Sequence, residues 1–253
     1  MQPASHDSDR PASETAKPRD YFATTQWTRV LNAGRSDSTS ACNALAQLCQ
    51  TYWYPLYAYV RRRGYSPEDA EDLTQGFFTR LLELNSLTEV RREKGKFRSF
   101  LLASLNHYLS DQWDHERAQK RGKGRVISLE ANRAEERLSR EPVDALTPEK
   151  LFERQWATTL LEAVVQRLQR EYESAGKGAL FMALRFSIAG EKNEEPYAKL
   201  SAELSLSEQA LRVAVHRLRR RYRQLLHDEI AQTVATEAEV DGEIRQLYRA
   251  LAG

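Results

Sequence analysis

Six arginines, Arg212, Arg217, Arg219, Arg220, Arg221 and Arg223, lie between positions 209 and 224 with no acidic residue among them. Leu211, Val215 and Leu218 keep helical spacing through the same stretch, so these cations share a helix that repels itself unless something anionic meets it. Guanidinium groups suit phosphates and base edges, which makes nucleic-acid recognition the chemistry to expect. A solvated basic face is the plainer alternative, and the turn preceding this helix favours the sharper one. Arg212, Val213, His216 and Arg217 are assigned to base edges or nearby phosphates, and Arg219, Arg220, Arg221 and Arg223 mainly to phosphates. With roughly four to six phosphates neutralised, affinity should fall with salt at a slope near 0.9 per contact.

A second cationic cluster, Arg117, Lys120, Arg121, Lys123 and Arg125, is interleaved with Gly122 and Gly124. It follows a helical pattern that carries Tyr108, Trp113 and His115. Aromatic rings stack on bases while cations hold the backbone, so this end of the helix also suits nucleic acid. Asp111, Asp114, His115 and Glu116 raise the question of a metal-assisted hydrolase. Their spacing is not HExxH, and no second histidine is in reach. The sequence contains neither GxGxxG nor GxxxxGK[ST], so no catalytic residue, metal or cofactor is expected.

Short helices must position these groups. Leu200 and Leu204 precede Ser205 and Leu206, Ser207 is placed to cap the basic helix, and Glu208 follows where a helix start favours an acid. Pro196 suits a first helical position, giving the helix, turn and helix shape that enters a major groove. Ser66, Pro67, Glu68 and Asp69 make another strong helix start. Behind it, Ala70, Leu73, Phe77, Phe78, Leu81 and Leu82 form a buried stripe that leaves Asp69, Asp72, Gln75 and Arg80 outward. A helix over 40–63 is predicted to kink or split at Pro55. A third begins at Phe97, with Phe100, Leu101, Leu105, Tyr108 and Leu109 in register. Residues 128–148 read as a linker with at most local helix, and Phe152, Trp156, Leu160, Val164 and Leu168 mark a further helix that Gly176 and Gly178 end. Residues 180–188 make a short apolar helix, and the tail after His227 continues the basic helix before a last amphipathic one.

No segment alternates as a strand does, so the expected fold class is all-α, with two small helical domains joined by a flexible linker. The chain has 253 residues and a formal net charge of +2, so nucleic-acid binding must come from local clusters rather than a global field. Cys42 and Cys49 have no metal spacing and read as small core residues in a reducing compartment. The polar opening shows no signal-peptide pattern and no long apolar run follows, so a cytoplasmic protein with a disordered leader and no membrane partner is expected.

The segment AEDLTQGFF at 70–78 resembles the second-helix signature of bacterial RNA polymerase sigma factors of the extracytoplasmic function group. FRSFLL at 97–102, the basic stretch beyond Arg117, a linker and the helix-turn-helix then follow in that family's order. The resemblance covers about 40–125 and 151–226. It implies an N-terminal extension over 1–39, a core-polymerase and minus-ten domain over 40–125, a linker over 126–150, a minus-thirty-five domain over 151–229 and a C-terminal extension over 230–253. By the same resemblance Asp69, Asp72 and Gln75 dock on core RNA polymerase. Asn106, His107, Tyr108, Asp111, Trp113, Arg117, Lys120 and Arg121 meet locally melted minus-ten DNA, and Arg212, Val213, His216, Arg217 and Arg220 meet the duplex minus-thirty-five element. An anti-sigma regulator is a further partner it implies, and melting needs no bond-breaking chemistry. His107 stands where the family has asparagine, Asp114 and Glu116 where it has basic residues, and Ser201 and Ser205 where it has alanine and glycine. A helix-turn-helix regulator that binds DNA without polymerase, or a sigma-like interaction module, would account for parts of the pattern.

Overall fold

The computed structural model describes residues 39–83, 96–118, 128–140, 146–188, 197–234 and 236–252. Every regular element among them is helical. The order is α1 (Thr39–Arg62), α2 (Pro67–Glu83), α3 (Phe97–Ala118), α4 (Leu129–Leu138), α5 (Pro148–Ser174), α6 (Gly178–Leu184), α7 (Tyr197–Leu204), α8 (Glu208–Ala231) and α9 (Val240–Ala252). Single 3-10 turns at Arg185–Ser187 and Glu237–Glu239 join α6 and α9 to their neighbours.

Caps and apolar periods explain the boundaries. The Ser207 side chain accepts the Ala210 amide, Thr147 does the same for Lys150 and Ser128 for Ala131, so each helix start has one of its orphan donors satisfied. Gly64 turns the chain out of α1 at φ 95° and Gly176 out of α5 at φ 69°, a backbone region that glycine enters without steric cost.

The core is one contiguous cluster that draws on helices from both sides of the 126–150 stretch, from Tyr52 and Leu56 in α1 to Leu247 in α9. The most extensive helix pairing is α1 against α5, and α2 lies on the other flank of α1. Aromatic rings mark the seams: Tyr59 meets Phe152 edge-on at 6.4 Å, and Tyr52 meets Phe97 edge-on at 5.1 Å. Helices α5, α8 and α9 also pack together, so the helices after the 126–150 stretch are continuous with those before it.

Two elements differ from the sequence expectation. Helix α1 does not split at Pro55, which lies inside one continuous helix. Tyr52, Tyr54, Leu56 and Tyr57 around it are buried, and the packing of that stretch outweighs the one amide that proline lacks. Within the expected linker, α4 is a docked helix. Ala131 and Ala134 are buried, and two of its charged residues, Glu135 and Arg137, have partners on neighbouring helices. Arg61 of α1 donates from Nε to Glu135 Oε1 at 2.7 Å and from Nη2 to Oε2 at 3.0 Å, and the Tyr57 hydroxyl donates to the same carboxylate at 2.7 Å. The Arg137 guanidinium sits 4.2 Å from the centroid of the Tyr54 ring and pairs with Glu162 of α5.

The Arg61 fork holds the Glu135 carboxyl below its ordinary pKa, against the opposing effect of burial. Stability from this group is therefore complete above the ordinary carboxylate value and is lost as the pH falls through the lowered one. Replacing Arg61 with alanine is expected to cost about 1.5–3 kcal/mol at neutral pH, the range for hydrogen bonds to charged groups. Urea melts at pH 7 and pH 3 check this: the difference between wild type and variant should shrink at the lower pH.

The expectations for residues 1–38, for Lys120, Arg121, Lys123 and Arg125, for Pro196 and for the side chains of Cys42, Cys49, Leu82, Asp114, His115, Glu116 and Arg117 lie outside the described residues.

Candidate nucleic-acid interface

Helices α7 and α8 are joined by three residues. Ser205 takes the left-handed conformation, φ 53°, which reverses the chain after α7. The Ser201 hydroxyl donates to the Leu206 carbonyl, and the Leu206 amide donates to the Ser201 carbonyl at 3.1 Å, so Ser201 stitches the turn with both its side chain and its backbone. Leu211, Val215 and Leu218 bury one face of α8 and leave Arg212, Val213, His216, Arg217 and Arg220 exposed as a stripe of one helical spacing. All five residues expected to read the minus-thirty-five element thus share a single open face.

The six arginines divide. Arg221 forms a two-pronged pair with Glu171 of α5, Nε to Oε2 and Nη2 to Oε1, both at 2.7 Å, and this pair lowers the Glu171 pKa. Arg219 donates from Nε to the Ser187 carbonyl at 2.9 Å. These two fasten α8 to α5 and to the turn after α6, which leaves the phosphate role to Arg212, Arg217, Arg220 and Arg223. Beside the stripe, an open groove of about 690 Å³ runs between the end of α5, α6 and the first half of α8, with Tyr172, Leu180, Ala210 and Val213 on its walls and Lys177 and Arg217 at its rim.

The residues expected at the minus-ten element point in three directions. Trp113 is 55% exposed and lines an open groove of about 780 Å³ with Arg63, Tyr65, Ser66, Asp69 and Ser110. Asn106 accepts hydrogen bonds on Oδ1 from Arg63 Nη1 at 2.7 Å and from the Tyr59 hydroxyl at 2.9 Å. Tyr108 turns towards α2, where its ring lies 5.9 Å from that of Phe77 and 5.8 Å from the Arg80 guanidinium. A Cβ at Gly76 would collide with the Tyr108 hydroxyl, so glycine at 76 makes room for that hydroxyl. His107 is exposed on α3, and Asp111, also exposed, pairs with the same Arg80 of α2 at 3.2 Å. Both partners are about half exposed, and such a pair contributes little.

Arg63 is the residue that sequence reasoning missed. The run Arg61, Arg62 and Arg63 before Gly64 carried a signal, but only position identifies its member. Arg61 is taken by Glu135, Arg62 donates to the Leu146 carbonyl at 3.2 Å, and Arg63 reaches the Trp113 groove. An exposed indole beside a guanidinium can take an unpaired base by stacking while the cation meets its phosphate.

Asp69, Asp72 and Gln75 are all exposed on α2. Asp69 belongs to the helix start: the Ser66 hydroxyl donates to Asp69 Oδ2 at 2.8 Å, and the Asp69 amide donates to Ser66 Oγ at 3.1 Å. Gln75 donates to Glu71 Oε1 at 2.9 Å, and the buried Glu71 accepts the Ser128 amide at 3.1 Å, where α4 begins. The outward face of α2 is therefore braced from beneath by an acid that the outward pattern did not reveal.

Neither a scan against protein-family models nor searches of curated proteins and of solved structures finds a match to this chain. Among the described residues no group of His, Cys, Asp or Glu is placed to hold a metal ion, and no helix is long and apolar enough to cross a membrane.

Proposed function

We propose that this chain is a sigma factor that binds core RNA polymerase, directs it to promoters and assists opening of the DNA. The observation that carries the reading is the pairing, in one chain, of an exposed arginine and histidine stripe on α8 with an exposed acid and amide face on α2. A regulator that acts without polymerase needs only the first. The α8 stripe, presented by the three-residue turn of a helix-turn-helix, reads the duplex minus-thirty-five element. The groove of Trp113 and Arg63 holds an unpaired base of the minus-ten element, and stacking worth about 1–3 kcal/mol per base offsets part of the cost of opening. The two surfaces belong to the two domains of the family pattern, and the chain works in the cytoplasm, where core polymerase and promoter DNA are its partners. No step requires a metal, a cofactor or a catalytic group.

Transcription from sheared genomic DNA by purified core polymerase, with and without the protein, tests the reading, and transcripts that start at the same sites in both cases would sink it. Replacing Asp72 and Gln75 together with alanine is expected to weaken binding to core polymerase about tenfold, or ~1.4 kcal/mol, with DNA binding by α8 unchanged. Fluorescence titration with labelled protein measures the first, and an electrophoretic shift with duplex DNA the second.

A further inference from the structure

Asn106 stands on α3 within the stretch expected to meet melted DNA, yet its side-chain oxygen is already occupied. Oδ1 accepts from Arg63 Nη1 at 2.7 Å and from the Tyr59 hydroxyl at 2.9 Å. An arginine only donates, so the atom that faces it is the oxygen, and the orientation of the Asn106 amide follows from its partner. The Tyr59 hydroxyl has one proton to give. Glu149 Oε1 lies 3.4 Å from that hydroxyl, so the shorter contact to Asn106 takes the proton. The Tyr59 ring is firmly seated: it is 1% exposed, meets Phe152 edge-on and lies 5.8 Å from the Arg63 guanidinium. A buried ring thus holds an amide, and the amide holds an exposed arginine.

Arg63 needs such a hold. It follows the last residue of α1, just ahead of Gly64, and it is exposed where it lines the Trp113 groove. A long exposed cation loses rotamer freedom when it settles on a ligand, and binding is weakened by that loss unless the side chain is ordered beforehand. Both side-chain hydrogen bonds that Arg63 makes among the described residues leave from Nη1, to Asn106 and, at 3.5 Å, to the Tyr59 hydroxyl. Nε and Nη2 are left for a phosphate.

We propose that Asn106 is a positioning residue that does not itself touch DNA: it aims the Arg63 guanidinium at the backbone phosphate of a base stacked on Trp113, and Tyr59 keeps Asn106 in place. The inference rests on the reading of this groove as the site of the unpaired minus-ten base. A neutral oxygen suits the task. A carboxylate there would pair with Arg63 and cancel the charge that the phosphate is to meet, as Glu171 does for Arg221. An amide oxygen orders the guanidinium and leaves its charge in place.

A double-mutant cycle on the full chain tests this, read by titration of fluorescein-labelled single-stranded DNA of random sequence, about 12 nucleotides long. Arg63→Ala is expected to weaken binding about tenfold and to lower the salt slope by ~0.7, the value of one single-strand phosphate contact. Asn106→Ala is expected to weaken binding about fivefold at the wild-type salt slope, because the guanidinium is still present but less often aimed, and Tyr59→Phe, which keeps the ring, about twofold. The Asn106 variant should fold as the wild type does by circular dichroism, since the freed Tyr59 hydroxyl has Glu149 to turn to, and Tyr59→Phe carries the cycle if it does not. In the Arg63→Ala background both effects should vanish: Arg63→Ala with Asn106→Ala binds as Arg63→Ala alone, where independent sites would give a loss of about fiftyfold. Additive losses overturn the proposal, because Asn106 would then meet DNA itself or merely support the fold, and so does Arg63→Ala with an unchanged salt slope. Wild-type protein that leaves the oligonucleotide unbound but starts transcripts with core polymerase overturns the proposal and keeps the sigma-factor reading. A cycle that closes as expected in a protein that starts no transcripts upholds the joint action of Asn106 and Arg63 and overturns that reading.

Discussion

Replacing Arg212 and Arg217 together with alanine is expected to weaken binding to promoter DNA about a hundredfold, while association with core polymerase persists. Both side chains are exposed on the α8 stripe, where the Arg212 guanidinium lies 3.6 Å from Glu208 with the arginine side chain 70% exposed. A well-placed arginine on a base edge contributes about 1–3 kcal/mol of discrimination, so the loss of two reaches a factor of a hundred even near the lower end. Arg219→Ala and Arg221→Ala serve as the contrast. Their guanidinium groups are spent on the Ser187 carbonyl and on Glu171, so their loss should lower thermal stability and leave the salt dependence of DNA binding nearly unchanged. Removing a phosphate-facing arginine such as Arg220 should instead reduce the salt slope by about one contact. Electrophoretic shifts at several salt concentrations, beside melting curves, separate the two groups. An equal loss of DNA and polymerase binding in every variant would mean that the stripe is a structural surface.

The division among the arginines shows where sequence reading stops. The start of α8, its apolar face and its exposed stripe follow from local rules: Ser207 as cap, Glu208 in the first turn, and leucine and valine at helical spacing. The same rules give α2 from Ser66 to Leu81. Whether a given arginine faces solvent or an acid depends on a residue 32 or 50 positions away, and no periodicity encodes that. Helix α4 was hidden for the same reason. Glu135 and Arg137 look like solvated charges until α1 and α5 supply Arg61, Tyr54 and Glu162. Pro55 misled in the other direction, because a local rule against proline inside a helix was outweighed by the burial of its neighbours. Around Trp113 the helix was legible but its rotation about its axis was not, and that rotation decides that Arg63 joins the groove while Tyr108 turns to Gly76.

Trp156→Ala is expected to destabilise the whole protein by about 3–5 kcal/mol, the range for removing a buried large aromatic ring. That is a large share of the roughly 5–15 kcal/mol by which a folded protein of ordinary size is stable. The side chain is fully buried on α5, one face of its ring meets the Arg98 guanidinium, and Arg98 is in turn the partner of Glu243 and Glu153. Alanine would open a cavity and remove a desolvated cation–π contact, leaving Arg98 with its acids but no surface to lie on. Trp156→Phe keeps a ring under Arg98 and should cost clearly less. The form of the melt is as informative as its midpoint. Because residues from α1 to α9 contribute to one buried cluster, urea unfolding should be a single transition, seen together by circular dichroism and tryptophan fluorescence and moved as a whole to lower urea in the alanine variant. A melt in two steps, with only the later one shifted by Trp156→Ala, would mean that the helices before the 126–150 stretch fold independently of those after it, and that their shared core is a contact between two stable bodies.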